Sequence, residues 1–315
     1  MAPVVEVDGL RKSYGGVERL HGISFQVDAG EILGFLGTNG AGKTTTIEIL
    51  EGYRDRDSGR VSVLGVDPAH GDRAWRNRIG LVLQEAELDP VYTVRETVAM
   101  FARYFSQPSD PSAIIAAVGL AEKANDRIGH LSGGQKRLVD VALGLVGNPE
   151  ILFLDEPTTG LDPAARREMW TLVEGLRAAG KTIFLTTHYM DEAQHLADRI
   201  LILRAGEVAA CGTVEELSRQ VGGYTEISFA APPGLALSGL PVPAGGGTWQ
   251  LDGAVVRLRS HVVPRDLAAL LGWADRERVE LVDLQAVKPT LDDVFVRFAE
   301  APGAAEASAD DGVRR

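Results

Sequence analysis

The sequence predicts an α/β fold built on a parallel sheet, followed by a small second domain. Three observations carry this. Ile32-Leu33-Gly34-Phe35-Leu36 is an apolar strand that runs through Gly37-Thr38-Asn39-Gly40-Ala41-Gly42-Lys43-Thr44-Thr45 into a helix-forming segment. Ile151-Leu152-Phe153-Leu154-Asp155-Glu156-Pro157 is a second apolar run and ends in two carboxylates. Beyond about residue 220 the composition changes, and 315 residues suffice for one sizeable domain and a smaller one.

The first run reads as strand, phosphate-binding loop and helix in the order that a nucleoside triphosphate site requires. Its glycines let successive N–H groups turn inward, and the positive end of the following helix faces the same point. Lys43 can reach β and γ phosphates as a point charge, and the Thr44 hydroxyl can ligate Mg²⁺. At Leu131-Ser132-Gly133-Gly134-Gln135 a second glycine-bearing turn opens a helix with Leu138, Val141, Ala142 and Leu145 at i, i+3, i+4 and i+7. Its Ser132 hydroxyl and free N–H groups form a second phosphate grip, although read alone Ser-Gly-Gly is equally an N-cap.

The run ending at Asp155-Glu156 reads as a buried parallel strand, and ligands of open α/β sheets sit at the carboxyl ends of such strands. Asp155 is therefore placed in the Mg²⁺ shell, and Glu156 beside the attacking water.

With these elements in hand, residues 3–220 resemble the ATP-binding-cassette ATPases. Gly37 to Thr45 looks like their Walker A, Ser132, Gly133, Gly134 and Gln135 lie in what looks like their signature, and Ile151 to Glu156 looks like their Walker B. Gln84 in Leu83-Gln84-Glu85 resembles the glutamine that links Mg²⁺ and attacking water to the partner surface. Asp162 in Gly160-Leu161-Asp162-Pro163 resembles the loop that crosses to the other subunit. His188, after the apolar 182–187, resembles the switch histidine, and Tyr14 the aromatic that stacks on adenine. Thr38 stands where many members have proline and Leu138 where close relatives often have a basic residue; neither removes a phosphate-facing group.

The resemblance implies a P-loop cassette with a RecA-like parallel sheet, an antiparallel β subdomain and a helical insert near 89–145. It further implies ATP and Mg²⁺ as cofactors, hydrolysis to ADP and phosphate, a head-to-tail homodimer, and an integral membrane permease contacted from the cytoplasmic face of the membrane. Glu156, His188, Lys43 and Gln84 would be catalytic; Thr44, Gln84 and Asp155 would serve the metal. Tyr92, Val94, Met100, Phe101 and Tyr104 are candidates for the docking surface of the insert, with at least half of them expected in the core instead.

In the remainder, 214–220 reads as helix, 224–229 as strand, 248–258 as two short strands about Asp252-Gly253, 264–271 as helix, 279–287 as strand and 290–298 as helix. Residues 221–300 then form an accessory α+β domain. The ending Lys288-Pro289-Thr290-Leu291-Asp292-Asp293-Val294-Phe295 looks like the C-terminal extension of daunorubicin-type drug-resistance export ATPases. Residues 301–315 are small, polar and acidic, the composition of a disordered tail. A net charge of −12 gives no general basic face for nucleic acid, and one cysteine allows neither an intrachain disulfide nor a metal cluster. The opening residues lack a signal-peptide pattern, and no apolar run nears the roughly 18 residues that span a bilayer. An exporter subunit is expected; an importer ATPase is the alternative, and a soluble cassette ATPase a more distant one.

Overall fold

Every residue of Ile32–Gly37 is buried, as is every residue of Thr182–Thr186. Strands without a wet face belong inside a parallel sheet covered on both sides. The computed structural model, which describes residues 3–83, 87–220, 223–232, 234–288 and 290–299, places them there. The chain divides into two compact units, Met1–Val214 and Glu215–Arg315.

In chain order the first unit contains β1 (Val5–Tyr14), β2 (Val17–Val27), β3 (Ile32–Gly37), α1 (Lys43–Leu50), β4 (Ser58–Val63), α2 (Arg73–Arg76) and β5 (Ile79–Val82). Then come α3 (Val94–Ala102), α4 (Pro111–Ala117), α5 (Gly133–Leu145), β6 (Ile151–Asp155), α6 (Pro163–Ala178), β7 (Thr182–Thr186), α7 (Met190–Leu196), β8 (Arg199–Arg204) and β9 (Glu207–Gly212). The main sheet has the order β5-β6-β7-β3-β8-β9, parallel except for the antiparallel edge strand β9. Because β6, β7 and β3 are adjacent and parallel, Asp155, Thr186 and Gly37 emerge along one edge. A separate antiparallel sheet, β2-β1-β4, packs its apolar face on one side of the main sheet. There Phe35 and Phe184 meet at 5.2 Å and Phe153 and Phe184 at 5.6 Å between ring centroids, tilted contacts of the kind aromatic rings favour.

The opposite face is covered by α3, α4, α5 and α6, through residues such as Val98, Ile115, Val141 and Val173. Thr93 starts α3 with a reciprocal capping box to Glu96. Of the five residues proposed for docking, Tyr92, Met100 and Tyr104 are exposed, whereas Val94 is fully buried and Phe101 packs against the core. Val94 takes the core alternative: it begins the buried stripe Val94, Thr97, Val98 of α3.

In the second unit α8 (Val214–Gln220) leads to β10 (Thr225–Ala230), β11 (Gln250–Asp252), β12 (Val255–Ser260), α9 (Val263–Glu277), β13 (Gln285–Val287) and α10 (Leu291–Ala299). The sheet order is β11-β12-β10-β13, and Ile227, Phe229, Val256 and Leu258 pack with Leu270 and Trp273 of α9. The strand expected over 279–287 shrinks to Gln285–Val287. Asp283 adopts φ 53°, which breaks the extended run: Gln285–Val287 pair in register with β10, and before the break Val282 O still accepts from Ala230 N at 2.9 Å. The 301–315 tail lies outside the described residues.

Candidate nucleotide site

The loop from β3 to α1 is constrained by close approach. A Cβ on Gly37 would stand 2.5 Å from the Leu203 carbonyl oxygen, and Gly42 caps α1 at φ 109°, where a Cβ would meet Leu20 at 2.6 Å. Any larger residue would push the loop off β8 or β2. Gly42 offers no side chain to the first turn of α1, so the helix N–H groups are left for an anion. Lys43 curls back over the loop, its Nζ donating to the carbonyls of Gly37 at 2.7 Å and Thr38 at 3.3 Å. Burial pulls the Lys43 pKa down, and the nearby carboxylates of Glu156 and Asp155 push it back up.

Around this loop lies a cleft of about 810 Å³ lined by Tyr14, Arg19, Asn39, Gly40, Gly42, Lys43, Thr44, Thr45, Asp155, Glu156, Thr159 and His188. Tyr14 sits at its rim, with its hydroxyl 3.3 Å from Thr45 Oγ1 and the Arg54 guanidinium 5.2 Å from its ring centroid. Asp155 closes β6 and accepts a hydrogen bond from Thr186 Oγ1 at 2.5 Å. A threonine hydroxyl and a carboxylate, Thr44 and Asp155, are hard oxygen donors on one cleft, a set that suits Mg²⁺.

Glu156 is held in an unusual backbone conformation, φ 46°. Its N–H donates to both the carbonyl and the hydroxyl of Thr186, each at 3.1 Å. Its Oε2 accepts from Thr159 Oγ1 at 3.1 Å and lies 3.4 Å from His188 Nδ1. A non-glycine residue in the left-handed region costs roughly 1–3 kcal/mol and is kept where its surroundings over-determine it. Here it turns the carboxylate from the strand end toward the imidazole.

Gln84 lies outside the described residues. Ser132, Gly133, Gly134, Gln135 and Asp162 are described but do not line this cleft. Ser132 and Gln135 form a capping box at the start of α5: Gln135 N donates to Ser132 Oγ at 3.2 Å and Ser132 N to Gln135 Oε1 at 3.0 Å. The N-cap reading and the phosphate-grip reading are compatible, because Ser132 and the following glycine remain exposed. Asp162 caps α6 by accepting from the N–H groups of Ala164 and Ala165.

Arg19, Glu51 and Arg137 were not picked out by sequence reasoning. Arg19 lies on β2 and brings a second cation to the cleft. Arg137 is buried in α5 and donates to the carbonyls of Leu83, Asp155, Glu156 and Pro157, so one guanidinium ties the end of β5 to the turn that carries both carboxylates. Its pKa is lowered by burial, and Asp140, 3.7 Å away, is pushed up to about 6 by its own burial against the pull of Arg137. Only Arg137's place between the apolar Leu131 and Leu138 hinted at this.

A glycine-rich loop beneath a strand edge, a lysine over it and a carboxylate–imidazole pair facing it define a nucleoside triphosphatase. Residues 20–159 match the ABC transporter family model, and residues 225–290 match the C-terminal domain of ABC transporter domain-containing protein-like members. The chain is 38% identical over 305 residues to the daunorubicin resistance ATP-binding protein DrrA3 of Streptomyces coeruleorubidus, covering 93% of this chain and 95% of that protein. It is 41% identical over 242 residues to the Nod factor export ATP-binding protein I of Burkholderia orbicola (strain AU 1054), covering 75% of this chain and 79% of that one. A solved ATP-binding subunit of an ABC transporter superposes with TM-score 0.63 at 28% identity, covering 70% of this chain and 93% of that chain. The cbiO1 subunit of Clostridium perfringens, part of the ABC transporter complex cbiONQ, does so with TM-score 0.64 at 28% identity, covering 70% and 95%. The chain belongs to the ABC transporter family as an ATP-binding, ATP-hydrolysing subunit.

Proposed function

We propose that this chain powers export: it hydrolyses ATP as a head-to-tail pair of identical subunits on the cytoplasmic face of the membrane and drives a separate integral permease. The observation that carries the pairing is that Lys43, Thr44, Asp155, Glu156 and His188 share one cleft which Ser132 to Gln135 do not line. A second copy turned head to tail would supply its Ser132 to Gln135 to that cleft, and its Asp162 loop would cross beside them. The export direction draws support from relatives named for Nod factor export and daunorubicin resistance. Among the described residues no helix is long and apolar enough to cross a membrane, which agrees with a permease on another chain.

In this reading Tyr14 stacks on the adenine. Lys43 exchanges the carbonyls of Gly37 and Thr38 for β and γ oxygens, so its charge is already positioned when the phosphates arrive. Thr44 and Gln84 would hold Mg²⁺ with Asp155 in its outer shell, and the ion would neutralise phosphoryl charge. Glu156 accepts a hydrogen bond from the attacking water and aligns it, and His188 steadies that carboxylate and the γ phosphate.

The test is complementation. Lys43→Ala and Ser132→Arg are each expected to lose ATPase activity, and mixing them should restore it, because one of the two sites in a heterodimer then has two intact halves. Differential tags report the heterodimer. Heterodimers without recovered turnover would refute the shared site. An importer would need a separate substrate-binding protein for coupled transport, and such a requirement would overturn the export direction.

A further inference from the structure

Glu192 is a carboxylate with no solvent exposure, on α7, four residues beyond His188. A buried carboxyl group requires donors. One is present: the indole Nε1 of Trp170, on α6, donates to Oε1 at 3.0 Å. The other groups facing it come from three segments. Thr158, fully buried, lies between Glu156 and Asp162; Thr187, at 1% exposure, directly precedes His188; Arg166 lies on α6. The Arg166 guanidinium is shared with the Tyr189 ring at 4.1 Å and with Asp191 at 3.5 Å. Burial raises the Glu192 pKa, while Thr187, Thr158 and Trp170, then Arg166, lower it.

The two threonines differ. Thr187 Oγ1 already has a partner, accepting from Tyr189 N at 3.0 Å while its own proton stays available to Glu192. Thr158 Oγ1 and Glu192 Oε2 are both buried, and neither completes a hydrogen bond. Thr158 is close enough to bias the carboxyl group, yet the bond is open. Such orphaned atoms cost stability, and this pair joins two functional segments: Thr158 lies in the turn from Glu156 to Asp162, and Glu192 is anchored behind His188.

We propose that Glu192 is a positioning residue for ATP hydrolysis: when the nucleotide cleft engages, the Thr158 hydroxyl donates to Glu192 Oε2 and locks the Glu156–Asp162 segment to the His188 loop. The proposal rests on the roles given to Glu156 and His188. A bond made only in the engaged state stabilises turnover without strengthening ground-state binding. It therefore belongs in kcat and leaves KM alone.

The experiment is a double-mutant cycle on the full chain, reading kcat and KM for MgATP. Thr158→Val keeps the volume and removes the donor; kcat should fall about tenfold, the worth of one charge-assisted hydrogen bond, with KM unchanged. Thr158→Ser should restore most of the rate. In a Glu192→Gln background, where the acceptor is neutral, the same Thr158→Val change should cost clearly less. Thr158→Ala repeats the comparison without the added methyl group should the valine variant fail to fold. An unchanged kcat, a loss confined to KM, or an equal cost in both backgrounds overturns the proposal. Glu156→Gln measured alongside tests the underlying assignment: if it keeps full turnover, that assignment falls, whereas coupling between Thr158 and Glu192 is read independently of it.

Discussion

Glu51 follows α1 and lies where burial, then the charges of Asp155 and Glu48, push its carboxyl pKa up to about 8 from 4.5. Glu48 is itself paired with Arg54 at 2.5 Å, and its charge adds to that of Asp155 against ionising Glu51. The unfolded chain ionises Glu51 near pH 4.5 and the folded chain only near 8. Between those values the folded state binds more protons, so stability falls as pH rises; below 4.5 there is no penalty, and above 8 it is complete. At 1.36 kcal/mol per pH unit, the cost to the wild-type chain at pH 7 is about 3 kcal/mol. Glu51→Gln keeps the shape and removes the ionisation. Without nucleotide or Mg²⁺ it should match the wild type near pH 4.5 and be more stable by about 3 kcal/mol at pH 7, a rise of roughly 6–12 °C in the midpoint of the first unit. Thermal unfolding followed by circular dichroism at pH 4.5, 6, 7 and 8 measures this. A gap that stays constant with pH, or a variant less stable than wild type at pH 8, would refute the reasoning.

Lys43→Ala should abolish ATPase activity, while Glu156→Gln should still bind MgATP in calorimetry and lose roughly 10²–10⁴ in kcat, the usual worth of general-base assistance. Full hydrolysis by the glutamine variant would remove Glu156 from its role. Arg137→Met should lower stability by about 3–5 kcal/mol in denaturant melts, because it strands four carbonyls and leaves Asp140 as an unpaired buried acid. Arg137→Lys should recover only part, since one ammonium cannot span the fork of a guanidinium.

The strands that carry the site were readable because a parallel interior strand buries both faces, and 32–36 and 151–154 are apolar runs of that kind, as is 183–185 between its flanking threonines. The phosphate loop was readable for the same kind of reason: Gly37 and Gly42 stand where a Cβ would collide with Leu203 and Leu20. Pattern reasoning failed where one residue overrides its neighbours. The alternation over 279–287 suits a strand, but Asp283 turns the chain and confines the regular ladder with β10 to Gln285–Val287. The apolar Val94 suited a docking surface equally well as a core, and only the packing of α3 decides between them.

Arg137 and Glu192 show a different limit. Charged residues on helices default to the solvent side, and little in the local sequence marks these two as exceptions. Each is buried because backbone carbonyls or an indole from distant segments converge on it, and that convergence exists only once β5, β6, α6 and β7 have been laid side by side. The same holds for Glu156. Its residue type and strand-end position announce chemistry in the sequence, but its φ of 46° is imposed by the two Thr186 contacts to its N–H and by Thr159 and His188 on its carboxylate. Those contacts place the acid beside the imidazole in the cleft that Lys43 also lines. Ser132 to Gln135 do not line that cleft, so under the proposed head-to-tail pairing a second copy's turn would complete each site.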